Sequence, residues 1–396
     1  VNGTVPQSSL ASSTAAISGA LQQPRAAYLH VPFCRHRCGY CNFTVVAGRD
    51  DLIDRYLEAL ARELSWLVHP RPVDTLFLGG GTPTHLPLAR LESLLTLAAE
   101  WFRFGASREF TIEANPIDVT PERVALLRQC GVNRLSIGAQ SFHADKLRLL
   151  QRDHDARQII HAVMLARDAM PSISLDLIFG VPGETLETWR TDLRQAIDMG
   201  VDHVSTYGLT IERGTQFWNR RHRGELIEID EELWREMYAT AIDLLTSAGF
   251  EHYEVSNFAR RGHRCRHNEV YWAGEEYFAA GPGAARYVNG CRQVNHRSTT
   301  TWINRVLRGE SPVAESESLG DEDRARERLV LGLRRLAGID FDQFERDCGY
   351  RVDNLVGGAL EKHLALGTLI VRDRRLRLSR EGLFVSDAIW PDLLRR

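Results

Sequence analysis

His30-Val31-Pro32-Phe33-Cys34-Arg35-His36-Arg37-Cys38-Gly39-Tyr40-Cys41 sets three cysteines within eight residues, spaced Cys-x3-Cys-x2-Cys, directly after a short apolar run from Ala27 to Val31. A strand leading into a cysteine loop puts the thiolates at the strand's carboxyl end, where βα folds build their sites. Three thiolates can bind three irons of a 4Fe-4S cubane and leave the fourth iron open to a further ligand. A structural zinc ion completed by His30 or His36 is the competing reading. Structural zinc usually draws on two short knuckles from separate segments, and no second knuckle follows here. His30 reads as a strand-end hydrogen-bonding residue.

Outward from that loop, short runs rich in β-branched and apolar residues alternate with longer stretches of helical spacing. The pattern predicts strands at 27–31, 75–78, 110–113, 134–137, 174–178 and 203–207. Helices are predicted at 52–68, 88–101, 121–130, 156–169, 186–199 and 231–248. Thr120-Pro121 has the chemistry of a helix start, and Gly131, Gly200 and Gly249 stand where helices should stop. Six successive βα units with right-handed crossovers predict a parallel sheet curled into a partial (β/α)6 TIM-type barrel over 25–250, an α/β fold. Residues 251–320 are aromatic, Gly-rich and irregular and read as an elaboration at the open side of the barrel. From 321 to 396, three helices and a hairpin around Asp373-Arg374 predict a small winged-helix-like α+β domain. Residues 1–24 carry no charged side chain and are dominated by Ser, Ala, Gln and Gly, which predicts a disordered leader.

A chain of 396 residues with 43% hydrophobic and 26% charged residues is an ordinary globular composition, long enough for a large domain and a smaller one. The net charge of -3 supplies no global attraction to nucleic acid or anionic membrane. The four arginines at 372, 374, 375 and 377 are interrupted by Asp373 and the chain's net charge is negative, which argues against a DNA-binding wing. No apolar run reaches the roughly 20 residues that cross a bilayer, and no secretory signal is visible, so stable membrane insertion is not expected and a cytoplasmic location is. Three of the seven cysteines are packed into one loop, which suits a reducing compartment rather than a disulfide framework. The other four, Cys130, Cys265, Cys291 and Cys348, read as buried or incidental thiols.

Six further segments join the cysteine loop: Tyr28-Leu-His-Val-Pro-Phe-Cys34, Leu78-Gly-Gly-Gly-Thr-Pro83, Ile112-Glu-Ala-Asn-Pro116, Leu135-Ser-Ile-Gly-Ala-Gln-Ser-Phe142, Leu175-Asp-Leu-Ile-Phe-Gly180 and Tyr253-Glu-Val-Ser-Asn-Phe258. With them the chain, from Ala27 to its carboxyl terminus, resembles the radical-SAM proteins of the group that contains oxygen-independent coproporphyrinogen oxidase and the HemW heme chaperones. The resemblance implies that Cys34, Cys38 and Cys41 ligate a 4Fe-4S cluster whose open iron is chelated by S-adenosylmethionine. Gly79, Gly80 and Gly81, with Thr82, would let the backbone approach the methionine part of that cofactor. By the same resemblance Glu113, Gln140 and Asp176 would contact its amino group or ribose, and Arg152 its carboxylate. Tyr28 and Tyr40 flank the cluster and would pack on the cofactor, with simple core packing as the alternative.

Two features distinguish the branches of this group. The oxidases carry a fourth cysteine two residues after the third, whereas this chain has Cys41-Asn42-Phe43. Arg266-His267-Asn268-Glu269-Val270-Tyr271-Trp272 resembles the HNxxYW signature of the chaperones, which implies contact between His267 and heme, with Cys265 a weaker candidate. The expected function is therefore binding of heme, a cluster and S-adenosylmethionine, and transfer of heme to an acceptor protein whose identity the sequence does not give. The alternative is a radical-SAM enzyme acting on a porphyrinogen or another substrate. Whether S-adenosylmethionine is cleaved does not follow from the sequence.

Overall fold

The cysteine loop emerges from Ala26–Val31 (β1), a strand buried along almost its whole length, as a central parallel strand must be. In the computed structural model, which describes residues 23–395 except for the side chains of residues 106 and 107, β1 pairs in parallel with Arg71–Gly80 (β2). The leader expected over 1–24 falls outside the described residues apart from its last two. Parallel pairing continues through Phe102–Ala114 (β3), Arg134–Gln140 (β4), Ser172–Phe179 (β5) and His203–Gly208 (β6). All six expected strands form in the expected order. The six connecting helices also form, at Ile53–Ser65, Leu88–Trp101, Pro121–Gln129, Ala156–Arg167, Leu186–Asp198 and Glu231–Ser247. Thr120 caps the third by accepting a hydrogen bond from the Arg123 N–H, and Asp155 and Gln158 close a capping box on the fourth.

Among the described residues the sheet has nine strands rather than six. Glu251–Glu254 (β7), Asn257–Ala259 (β8) and Phe278–Ala280 (β9) join it, giving the order β9-β1-β2-β3-β4-β5-β6-β8-β7. β9 extends the parallel array beyond β1, and β8 and β7 close the other edge in antiparallel fashion. The rest of the stretch expected to be irregular is ordered as well. It holds a helix, Arg266–Trp272, a three-stranded antiparallel sheet of Ala285–Val288, Cys291–Asn295 and Val313–Ser318, and a helix, Thr299–Leu307. Strands of three to six residues carry too few alternations to stand out from a loop in the sequence.

Buried groups tie these additions to the sheet. The Glu63 carboxylate accepts hydrogen bonds from the Gly281 N–H (2.9 Å), Asn295 Nδ2 (2.7 Å) and Trp302 Nε1 (3.0 Å), fixing the edge beyond β1. Burial pushes its pKa up to about 7, opposed by those donors.

The carboxyl-terminal domain has its own core, including Leu329, Leu333, Phe344, Leu355 and Leu376. Helices Asp321–Leu333, Phe341–Cys348 and Val352–Ala365 precede a hairpin of Leu369–Arg372 and Arg375–Leu378, and Ile339–Asp340 adds a third strand. Asp373 and Arg374 both take positive φ, as a two-residue hairpin turn requires. Arg374 and Arg375 pair with Asp342 and Asp340. The domain is clamped to the sheet by Glu254, fully buried in β7, which accepts two hydrogen bonds from Arg334 (3.0 and 2.7 Å).

Candidate functional site

The carboxyl ends of the parallel strands surround a cavity of about 400 Å³ whose lining includes Cys34, Cys38 and Cys41. The sequence places all three on one loop, and backbone contacts fix its path. Val46 N–H donates to Pro32 O (2.8 Å), Cys41 N–H to Cys38 O (3.1 Å), and Phe217 N–H to Gly39 O (2.9 Å). Gly39 is needed there because a Cβ would stand 2.6 Å from the Phe217 ring.

The thiols sit in unequal environments. Burial pushes Cys34 up to about 12 and also raises Cys41. Cys38 feels the same burial, but His36 and the Arg152 guanidinium, whose Nη1 donates to its Sγ at 3.4 Å, outweigh it and lower the pKa. Among the described residues no group of three or more His, Cys, Asp or Glu side chains converges on a single-ion site. His30 is spent elsewhere, with Nε2 on Thr44 O (2.7 Å) and Nδ1 on the Tyr28 hydroxyl (3.0 Å). That withdraws His30 from a tetrahedral zinc set, while His36 Nε2 lies 3.7 Å from Cys38 Sγ.

Seven of the other expected residues, Tyr40, Gly80, Gly81, Glu113, Gln140, Arg152 and Asp176, line the same cavity. Gly80 has φ +105°, and its N–H donates to Glu113 Oε2 at 2.8 Å. A Cβ on Gly81 would lie 2.7 Å from the carbonyl oxygens of Val31 and Phe33, so this glycine lets β2 and the cysteine loop touch. Gly79 is not among the residues that line the cavity. A Cβ there would collide with the Glu113 carboxyl, so it makes room for that carboxyl rather than for a ligand. Thr82 touches the site through its hydroxyl, 3.6 Å from Cys34 Sγ.

Glu113 and Asp176 are the unusual pair. Burial, together with the Asp176 charge, pushes Glu113 up to about 7 against the Gly80 N–H, and burial raises Asp176 against hydrogen bonds from Ser205 and Ser136. Two neighbouring buried carboxyls facing a cavity are costly unless a cationic or hydroxyl-bearing ligand meets them. Gln140 Oε1 and Arg152 Nε are likewise buried without a protein partner. Sequence reasoning did not single out Ser136, Gly138, Tyr207 and Glu212, which share this wall. The first two lie inside the quoted Leu135–Phe142 segment, and the others carry no motif.

Tyr28 and His267 lie elsewhere, around a second space of about 210 Å³ inside the barrel. Glu113, Ser136, Asp176 and Tyr207 line both spaces and form the partition between them. His267 is 1% exposed, with Nδ1 2.9 Å from the Thr75 hydroxyl and Nε2 2.8 Å from the Tyr271 hydroxyl. Burial lowers its pKa to about 3, which keeps the imidazole neutral. Both ring nitrogens of His267 are thus engaged by hydroxyl groups. Cys265 is fully buried, 3.8 Å from Glu109 Oε1, and burial pushes its pKa up to about 12.

Family models for the Radical SAM superfamily and for the HemN C-terminal domain match residues 28–196 and 319–385. A heme chaperone HemW from Bacillus subtilis is 32% identical over 93% of this chain and 99% of its own length. One from Lactococcus lactis is 34% identical over 94% and 98%. Coproporphyrinogen III oxidase (HemN) from Escherichia coli, a radical SAM enzyme, superposes with a TM-score of 0.82 at 23% identity, covering 94% of this chain and 90% of that one.

Proposed function

The chain belongs to the HemW family of radical SAM proteins, and from that premise we propose that it is a heme chaperone: it holds a 4Fe-4S cluster, S-adenosylmethionine and heme, and passes heme to an acceptor protein. The observation that carries the cluster part is the cavity whose lining brings three cysteines together with two carboxyls, Glu113 and Asp176, whose pKa values burial raises.

Cys34, Cys38 and Cys41 would hold three irons, and the cluster, when bound, supplies an electron to the sulfonium of S-adenosylmethionine. Arg152, which lowers the pKa of Cys38, would also meet the cofactor carboxylate. Glu113 and Asp176 would take the ammonium and ribose hydroxyls, recovering by charge and hydrogen bonding what their burial costs. Gln140 Oε1, buried and unpartnered, adds an acceptor on the same side. Tyr40 packs edge-on against Phe217 and stiffens the loop.

Among the described residues no helix is long and apolar enough to cross a membrane. The proposed location is the cytoplasm, whose reducing conditions suit an oxygen-sensitive cluster and free thiols.

The enzymatic reading is an oxidase of porphyrinogens, and one assay separates it from the chaperone. Incubated anaerobically with S-adenosylmethionine, a reductant and coproporphyrinogen, the reconstituted protein is expected to yield no protoporphyrinogen by chromatography. Turnover would overturn the chaperone reading.

A further inference from the structure

A third cavity, of about 1210 Å³ against 400 Å³ for the cysteine site, opens between the helix Arg266–Trp272, the small antiparallel sheet and the carboxyl-terminal domain. It exceeds the roughly 300–1,000 Å³ usual for small-molecule sites. Tyr271, Trp272, Tyr277, Tyr287 and Tyr350 supply its aromatic surface, and Arg292, Arg324, Arg328 and Arg346 its positive charge. We propose that this interdomain cavity is the heme seat, with the macrocycle against the tyrosine and tryptophan wall and the propionates on Arg324, Arg328 and Arg346. The proposal rests on the heme-chaperone reading and adds the place and the recognising groups.

The chemistry of the wall selects a flat apolar ring that carries anionic arms. Tyr271 and Tyr277 meet edge to face at 4.6 Å, which fixes both rings in place before a ligand arrives. The Arg334 guanidinium packs 4.4 Å from the Trp272 ring and the Arg292 guanidinium 5.6 Å from the Tyr287 ring.

The same lining contains Glu275, Asp321, Glu327 and Asp347, so the guanidiniums are not surplus charge waiting for any anion. They differ in how firmly they are held. Arg292 makes two 2.7 Å bonds to Glu327 and is committed to it. Arg328 makes one 2.8 Å bond to Asp347 in a half-exposed pair, and Arg324 pairs with Asp321 on its own helix in a solvent-exposed one. Exposed pairs of that kind contribute little and exchange partners readily. Arg346 donates to the uncharged Gln343 Oε1 at 2.8 Å. The three on the carboxyl-terminal domain are therefore the ones an incoming dicarboxylate can recruit, and Arg292 stiffens the opposite wall.

The location also links heme to the rest of the molecule. Tyr28 and Tyr271 line both this cavity and the inner barrel space, which in turn shares Glu113 and Asp176 with the cysteine cavity. Tyr271 stands between His267 and the cavity and is hydrogen-bonded to it, so His267 acts here as a positioning residue for the tyrosine wall.

The test uses the full-length protein and two probes, hemin and hemin dimethyl ester, titrated by absorbance. The triple variant Arg324→Ala, Arg328→Ala, Arg346→Ala is compared with wild type, and its iron–sulfur content and circular dichroism report on folding. Hemin should bind the variant at least about tenfold more weakly, while the ester, which lacks the carboxylates, binds both proteins alike. Unchanged hemin affinity in the variant overturns this site while leaving heme binding intact. Wild type that binds no hemin overturns the heme reading and this site with it.

Discussion

Cys38→Ala protein, reconstituted anaerobically with iron and sulfide, should fold and yet hold almost no cluster, its iron falling from about four per chain towards zero. The loop that carries Cys38 does not depend on metal for its path. It is held by Val46 on Pro32, by Phe217 on Gly39, and by Gly81 and Thr82 N–H groups on Val31 and Phe33. Truncating one partly exposed thiol should therefore change stability by only about 0.5 kcal/mol, the range of ordinary surface substitutions. Cluster assembly is another matter, because Cys38 is the thiol whose anion the protein stabilises, through His36 and Arg152 against the cost of burial. Its loss removes a ligand and leaves Arg152 without a sulfur partner. Iron and sulfide analysis with the near-visible absorbance spectrum reads the result. A full cluster in the variant would contradict the ligand assignment, and one zinc per wild-type chain in place of iron would favour the zinc alternative.

Glu254→Ala should produce the largest loss of stability, about 3 kcal/mol, at the lower end of what breaking a buried ion pair costs. Glu254 is 0% exposed and accepts from Arg334, from Asn257 Nδ2 (2.6 Å) and from the Ser256 N–H (3.0 Å). Its removal strands all three donors, and the partial exposure of Arg334 is what keeps the figure from the upper end. Because Arg334 follows directly on the helix Asp321–Leu333, the substitution should loosen the carboxyl-terminal domain as well as lower the urea midpoint. Limited proteolysis between residues 334 and 340 should accelerate. Arg334 also braces Trp272, so hemin affinity should fall too. Unchanged proteolysis and an unchanged midpoint would show that the domains are held by other contacts.

The central fold was legible because its parallel strands are buried runs separated by amphipathic helices with recognisable starts and stops. Thr120-Pro121 and Gly131, at φ +85°, bracket one helix as the sequence indicates. The three added strands were not legible. Glu251–Glu254, Asn257–Ala259 and Phe278–Ala280 are too short for periodicity, and β9 pairs with a strand about 250 residues earlier, a choice that only tertiary packing makes. The cysteine cavity was largely foreseen, since most of its groups fall in motifs at strand ends. His267 shows the limit of that method. The motif singles the residue out, but its burial and its bonds to Thr75 and Tyr271 are properties of the folded neighbourhood. The interdomain cavity was invisible for the same reason, because its arginines and tyrosines come from segments that no linear pattern connects.

The most direct test of the chaperone account is heme transfer. The full-length protein, carrying its cluster and S-adenosylmethionine and loaded with one equivalent of hemin, is mixed with an apo heme-binding acceptor, and the acceptor's spectrum is followed after separation. The account predicts that hemin moves to the acceptor faster than it is released from the donor alone. Hemin that never binds, or that reaches the acceptor only at the rate of spontaneous release, would contradict it.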